Sequence, residues 1–277
     1  MGVVEAVVLG LVQGLTEFLP ISSSAHLRIV GALFGWPDPG AAFTAIIQIG
    51  TELAVLVYFA KDIARIVVAW LASLAGRRRG DPDARMGWLI IIGSIPIVVL
   101  GLLFQNRIET TFRDLRIVAI ALAGFSLVLY WADRVGVKKG QLRDLTVGDG
   151  VLFGLAQSLA LIPGVSRSGG TITAGLFIGY SREAAARYSF LLAVPAVLGS
   201  GLYEAYDALK GDGVHGSPIQ WQPTIIATVI SFAVGLSVIA WLLRYLAHGS
   251  FTPFVVYRVV LGLLLLGLVG AGALAPS

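Results

Sequence analysis

Two polar side chains near the amino terminus have a spacing that could hold one ligand. Gln13 and Glu17 are four residues apart, so on a helix they lie on the same face. A carboxylate with an amide carbonyl suits a hard divalent cation such as Mg²⁺ or Ca²⁺, or a proton in transit. The plainer interpretation is that Glu17 pairs with an arginine elsewhere. Because burying a carboxylate in a membrane costs about 2.5 kcal/mol or more, a functional role is favoured.

Three serines and a histidine follow Glu17 after a proline. Ser22, Ser23 and Ser24 lie where a helix would begin and its backbone N–H groups are free, and such serines commonly act only as caps. His26 could accept a proton from a serine or itself attack phosphorus, so the segment could also be catalytic. Arg28 is expected to extend toward the membrane interface.

A second segment, residues 163–171, reads Pro-Gly-Val-Ser-Arg-Ser-Gly-Gly-Thr. Its glycines allow the backbone to approach a ligand, and its hydroxyl and N–H groups can donate hydrogen bonds at the start of a helix. Arg167 adds a planar guanidinium that can bind a phosphate through two parallel bonds. Helix packing through small residues, with Arg167 as a counter-ion to Glu17, would explain the glycines but not the concentration of donors. The segment therefore predicts a phosphate cradle, with donors at Gly164, Ser166, Ser168 and Thr171.

Other charged residues within apolar stretches are less informative. Glu52 could contribute to the same cavity or could form a single interhelical hydrogen bond, and the sequence leaves both open. Arg187 and Arg258 are expected to anchor helix ends.

The composition identifies the kind of element that must position these residues. The chain has 277 residues, of which 57% are hydrophobic and 13% charged, whereas a soluble domain has about 25% charged residues. This predicts a membrane protein and excludes a nucleic-acid partner. The absence of cysteine excludes thiol catalysis and disulfides. Six stretches are long enough, or nearly so, to span a bilayer: 41–60, 86–104, 117–132, 184–202, 224–246 and 253–274.

Two further apolar stretches, 3–36 and 147–180, are interrupted by a proline and a polar cluster. Irregular backbone at membrane depth is tolerated only where protein or a water-filled cavity satisfies it, so we expect two re-entrant helical hairpins. Both share a Gly-Leu-x-Gln-x-Leu pattern before the break, and each is followed by three spans.

The charges of the loops predict the orientation of these elements. The basic loops 77–85 and 134–143 should face the cytoplasm, and the connections 106–115 and 207–223 should lie outside. With this orientation the two hairpins enter from opposite sides. We therefore expect an all-α polytopic membrane protein, a single domain over residues 1–277, with halves of about 1–135 and 145–277 in an inverted repeat.

With both segments in view, the chain resembles the undecaprenyl pyrophosphate phosphatase family, also known for bacitracin resistance. The family's landmarks are Glu/Gln-x-x-x-Glu before Pro-x-Ser-Ser-x-x-His, and Pro-Gly-x-Ser-Arg-Ser-x-x-Thr. They stand here as Gln13 to Glu17, 20–26 and 163–171. Gln13 departs from the Glu that is common in the family, and Ala25 from a common glycine.

The resemblance implies hydrolysis of a C55 polyprenyl diphosphate to the monophosphate and inorganic phosphate, which regenerates the lipid carrier of peptidoglycan synthesis. It implies a divalent cation, Mg²⁺ or Ca²⁺, at Gln13 and Glu17, with Glu17 also in acid–base catalysis. It further implies a bacterial cytoplasmic membrane location with the site open to the outer face, and a homodimer is a candidate assembly. The implied catalytic residues are Glu17, Ser23, His26 and Arg167, and the implied phosphate-binding residues are Ser22, Ser24, Gly164, Ser166, Arg167, Ser168 and Thr171.

The same architecture would also suit a transporter. Inverted repeats with facing hairpins are an architecture found in transporters. The cradle could therefore carry a polyprenyl phosphate or an inorganic anion across the membrane. Release of phosphate by purified protein in detergent, where no gradient exists, would separate the two functions.

Overall fold

A computed structural model describes residues 1–38, 40–77, 80–104, 108, 112, 114–210 and 220–275. These residues form helices, and their only bridge of β type is an isolated one between Gly140 and Tyr180. Eleven α-helices lie within the described ranges, together with two short 3₁₀ helices. In chain order they are α1 (Val3–Thr16), α2 (Ser23–Phe34), α3 (Gly40–Tyr58), α4 (Ala60–Leu74), α5 (Pro82–Leu103), α6 (Leu115–Val135), α7 (Val147–Ser158), α8 (Arg167–Phe177), α9 (Arg182–Lys210), α10 (Trp221–Leu246) and α11 (Thr252–Gly270).

The prediction of an all-α chain with several membrane spans is confirmed for the described residues. Five helices, α5, α6, α9, α10 and α11, are long and apolar enough to cross a membrane, and they match five of the six predicted stretches. The sixth, 41–60, corresponds to α3, which continues after an 82° bend into α4. The predicted outer connections 106–115 and 207–223 and the basic residues 78 and 79 lie largely outside the described residues.

Each of the two interrupted stretches forms a pair of short helices around a turn. The turn between α1 and α2 ends at Ser22 with φ of 73°, and the turn between α7 and α8 ends at Ser166 with φ of 74°. A non-glycine residue with positive φ is uncommon and costs on the order of 1 kcal/mol, so the surrounding contacts must hold both serines in place. The two breaks therefore share a backbone conformation as well as a sequence pattern.

The first helix of each pair packs against a long helix from the other part of the chain. Helix α1 packs mainly on α10, and α7 packs mainly on α5. Two glycines allow the close approach: a Cβ at Gly10 would lie 2.6 Å from the carbonyl oxygen of Ala227, and one at Gly154 would overlap that of Gly93. These contacts fix where both turns lie.

Substituting Gly154 with valine should force α7 away from α5. Overpacking of this kind costs about 1–3 kcal/mol, so we expect a lower melting temperature for purified protein in detergent. Gly124→Val is the matched control, because a Cβ at Gly124 meets nothing within 4 Å. Equal loss of stability in the two variants would contradict the role of this contact.

Candidate active site

The two turns meet inside the helical bundle. The backbone N–H of Gly164 donates to Oγ of Ser22 at 3.1 Å, and Oγ of Ser168 donates to the carbonyl oxygen of Leu19 at 3.0 Å. Residues that are distant in the sequence are thereby brought together, as the repeat pattern predicts.

A buried arginine from α11 holds both turns. The Arg258 guanidinium donates to the carbonyl oxygens of Pro20 (2.8 Å), Gly164 (2.7 Å), Val165 (3.0 Å) and Leu122 (3.2 Å). Arg258 is fully buried, in the second turn of α11. The expectation that it anchors a helix end is therefore wrong. Its charge is stabilised by the dipoles of backbone carbonyl groups, which lack intrahelical partners because the two helices are broken there.

Arg167 joins two carboxylates at the centre of the site. Its Nη2 donates to Oε1 of Glu17 and, at 3.0 Å, to Oε1 of Glu52. The side chains are 13%, 4% and 0% exposed respectively. Two carboxylates against one guanidinium leave the cluster with one excess negative charge when both are ionised, so it can accept a further positive charge.

Glu17 also organises the serine expected to act as nucleophile. Its Oε2 accepts hydrogen bonds from Oγ of Ser23 at 2.5 Å and from Nε2 of Gln13 at 2.7 Å. The carboxylate is thus in position to take the proton of the serine hydroxyl. Within the described part of the chain, Oε1 of Gln13 and Oε2 of Glu52 are buried without hydrogen-bond partners.

His26 does not contact Ser23 in this arrangement. Its Nδ1 lies 2.7 Å from the carbonyl oxygen of Ser22, which can only accept, so the proton is on Nδ1. In the neutral ring, Nε2 then accepts from the hydroxyl of Tyr257, 2.6 Å away, and the two rings stack. Sequence reasoning missed Tyr257; its position beside Arg258 on α11 was the available signal.

The remaining hydroxyl groups of the cradle are engaged within the protein. Oγ of Ser166 accepts from the N–H of Gly169 and lies 3.1 Å from Oγ of Ser168, while Oγ1 of Thr171 bonds Oγ of Ser189 at 2.5 Å. The first turn has a similar contact between serines two residues apart, with 3.3 Å between Oγ of Ser22 and Oγ of Ser24.

Exposure differs among the predicted site residues. Ser23, Ser24 and Arg167 are partly exposed, whereas the other predicted site residues are buried. Arg28, on the same helix as Ser24 and His26, pairs through Nε with Oδ2 of Asp38 at 3.7 Å.

The donor set fits one class of metal ion. Among the described residues no group of three or more His, Cys, Asp or Glu side chains could hold a metal. Glu17, Glu52 and the unpaired amide oxygen of Gln13 offer two carboxylates and a carbonyl-type oxygen. Mg²⁺ is commonly bound by one or two carboxylates, completing its shell with water and substrate phosphate, and these residues fit it.

Comparison with known proteins points to one family. The family model described as bacitracin resistance protein BacA matches residues 6–264. A protein of Kineococcus radiotolerans named undecaprenyl-diphosphatase is 62% identical over 99% of this chain and 96% of its own length. A protein of Micrococcus luteus named undecaprenyl-diphosphatase is 60% identical over 98% of this chain and 99% of its own length. A protein of Streptomyces coelicolor named undecaprenyl-diphosphatase 2 is 57% identical over 98% of this chain and 96% of its own length.

Replacing Arg258 with methionine should destabilise the protein strongly. The change keeps an apolar stem but leaves carbonyl oxygens of both turns without a donor, and a hydrogen bond to a charged group contributes about 1.5–3 kcal/mol. We expect a loss of at least about 3 kcal/mol, measured as a lower melting temperature in detergent. Arg244→Met, at an exposed position in the last turn of α10, is the control. A melting temperature equal to that of the control would refute the anchoring role.

Proposed function

This chain belongs to the bacitracin resistance protein BacA family, and we propose that Glu17, Ser23 and Arg167 carry out its reaction, the hydrolysis of undecaprenyl diphosphate to undecaprenyl phosphate and inorganic phosphate. That reaction regenerates the lipid carrier used in peptidoglycan synthesis. The observation that carries the assignment is that one carboxylate, Glu17, binds both a serine hydroxyl and a guanidinium.

The diphosphate is bound where the two turns meet. The amino termini of α2 and α8 converge there, and each presents free N–H groups and the positive end of a helix dipole to an anion. The partly exposed groups of Ser23, Ser24 and Arg167 reach the phosphates first. Arg167 binds them through its planar fork, which a lysine cannot reproduce.

Buried groups give this cradle its shape. Oγ of Ser22 accepts from the N–H of Gly164, and Oγ of Ser166 accepts from that of Gly169. Direct donation to phosphate by Ser22, Gly164, Ser166, Ser168 and Thr171 stays a prediction, because in the structure their polar groups stabilise the turns.

Ser23 attacks the terminal phosphorus. Glu17 takes the hydroxyl proton, a bond forms between Oγ and phosphorus, and the bridging P–O bond breaks to release undecaprenyl phosphate. Water then cleaves the phosphoserine and releases inorganic phosphate. The alternative is that water attacks directly while Ser23 only orients it. The 2.5 Å bond from Ser23 to Glu17 favours the serine as nucleophile.

His26 is proposed to assist in proton transfer. Its unprotonated Nε2 is bonded to Tyr257, so a proton reaches it through that hydroxyl or after the hydroxyl has moved. Tyr257 is exposed, so it connects the buried His26 with the surface of the bundle.

Gln13 and Glu17 are proposed to hold the divalent cation, Mg²⁺ or Ca²⁺. When bound, such an ion would neutralise charge that develops on the phosphate oxygens. The hydrogen bond from Nε2 of Gln13 orients the Glu17 carboxylate, and the amide oxygen of Gln13 is buried without a partner among the described residues.

The apolar tail of the substrate lies between helices in the bilayer. An open groove of about 600 Å³ runs from the first turn along α10 and could receive the part of the tail nearest the diphosphate. Its lining is apolar except for one serine: Leu15, Leu19, Ala233, Val234, Ser237, Val238 and Trp241.

We propose six spans and two re-entrant hairpins in an inverted repeat, with halves of about 1–135 and 145–277. The shared conformation of Ser22 and Ser166 and the packing of each hairpin on a long helix of the other half support it. With the basic loops 77–85 and 134–143 in the cytoplasm, the site opens to the outer face of the bacterial cytoplasmic membrane. Homodimer formation stays a prediction, and the named relatives do not favour the transport function.

Ser23→Ala and Glu17→Gln should each lower the rate of phosphate release from undecaprenyl diphosphate by about a hundredfold or more, since a positioned proton-transfer group contributes about 10²–10⁴-fold. The assay uses purified protein in detergent, and a phosphoserine should be trapped by acid quenching with labelled substrate. Arg28→Ala, which removes a guanidinium paired with Asp38, is the control and should be much milder. Near-normal turnover by Ser23→Ala would exclude the serine as nucleophile.

The orientation of the site can be tested because the chain contains no cysteine. Single cysteines at Ser24, Gln220 and Lys139 should be treated with a membrane-impermeant maleimide in intact cells. We expect labelling of Ser24→Cys and Gln220→Cys, and labelling of Lys139→Cys only after permeabilisation. If Ser24→Cys behaves like Lys139→Cys, the site opens to the cytoplasm.

A further inference from the structure

Glu52 is an ionisable side chain with no assigned role in the reaction. It lies in α3, is fully buried, and accepts a hydrogen bond from Arg167 through Oε1 at 3.0 Å. Close packing of α3 on α10 fixes its position: a Cβ at Gly50 would overlap the backbone of Thr228, and Oγ of Ser231 donates to the carbonyl oxygen of Ile47 at 2.9 Å. A carboxylate at this depth is costly and requires a compensating function or partner.

The two carboxylates converge on a single cationic atom. Nη2 of Arg167 contacts Oε1 of both Glu17 and Glu52, so this nitrogen stands where a bound cation would contact both. On the same carboxylate Oε2 of Glu52, and on the neighbour of Glu17 Oε1 of Gln13, are buried acceptors without partners among the described residues. Unpaired buried acceptors of this kind are uncommon and call for a donor or a metal ion.

We propose that Glu52 is a ligand of the divalent cation, which is held by Glu17, Glu52 and the amide oxygen of Gln13. If Arg167 turned to the substrate phosphate, both carboxylates would lose their counter-charge, and a divalent cation held between them would supply positive charge in its place. This inference rests on the proposed cation site at Gln13 and Glu17, and it supplies the second carboxylate which that pair lacks.

The placement also accounts for the amide at position 13. In this chain α3 supplies a second carboxylate, Glu52, to the same nitrogen of Arg167 that Glu17 contacts. Glu17 and Glu52 together supply a charge of −2 when both are ionised. A third carboxylate, at position 13, would add repulsion that the single guanidinium of Arg167 could not offset.

A purely structural role would make Glu52 only a counter-ion of Arg167. That role uses Oε1 and leaves the buried Oε2 unexplained. The two roles differ in a measurable way, because a counter-ion affects phosphate binding through Arg167 but does not itself bind a metal.

Mn²⁺ is the probe for this site, since its electron paramagnetic resonance signal disappears from solution on binding. The full-length protein in detergent is titrated with Mn²⁺, with Mg²⁺ as competitor. The titration is repeated with a short polyprenyl methylenediphosphonate, whose bridging carbon cannot be hydrolysed, so that a site completed by substrate phosphate is also detected. Glu52→Gln should weaken Mn²⁺ binding by about tenfold or more, since even loss of an outer-shell partner costs about 10–100-fold.

Three variants serve as controls. Glu183→Gln, which removes an exposed carboxylate at the start of α9, should bind Mn²⁺ like the wild type. Glu52→Asp, and the double variant Gln13→Glu with Glu52→Gln, each restore a carboxylate and should bind more tightly than Glu52→Gln. Thermal melting confirms that each variant is folded.

Three results would overturn the inference. Mn²⁺ binding by Glu52→Gln equal to the wild type leaves Glu52 as a counter-ion, and failure of both restoring variants to improve on Glu52→Gln shows that the carboxylate is not the cause. If the wild type binds no Mn²⁺ with or without the diphosphonate, the cation site itself is refuted. Phosphate release, measured separately, shows whether the hydrolase assignment stands.

Discussion

The structure depends on keeping a charged cluster inside an apolar protein. Glu17, Glu52 and Arg167 are each at most 13% exposed, and each is paired with an opposite charge of the cluster. Removing water strengthens the attraction between them and also strengthens their interaction with any phosphate that enters. The cost of burying these charges is offset by mutual pairing, and the same pairing arranges a base, a hydroxyl and a guanidinium around one point.

Broken helices make this arrangement possible in a membrane. A continuous helix satisfies its own backbone and has no free N–H or carbonyl groups to offer a ligand, whereas each break exposes both. The free N–H groups at the starts of α2 and α8 are proposed to bind an anion, and Arg258 donates hydrogen bonds to free carbonyl groups of both turns. The carbonyl groups of the breaks thus have a partner within the protein, whereas the N–H groups are proposed to remain available for substrate.

Sequence reasoning succeeded where the signal is local. The four-residue spacing of Gln13 and Glu17, the two interrupted stretches and the apolar lengths of the spans all follow from helix geometry, and the structure places Arg167 against Glu17 as the paired breaks predict. The bend after Tyr58 was not predicted, because no proline or glycine marks it. Glu52, Tyr257 and Arg258 were undervalued or missed, since each lies on a helix outside the two interrupted stretches and only packing brings it to the site.

The contacts of Arg258 also have a mechanical consequence. One guanidinium binds carbonyl groups on both turns, so neither turn can shift without changing the bonds of the other. The turns lead directly into the helices that begin at Ser23 and Arg167, so these shared bonds couple the positions of the two side chains. For the proposed reaction, this coupling would keep the serine oxygen and the guanidinium at a constant separation.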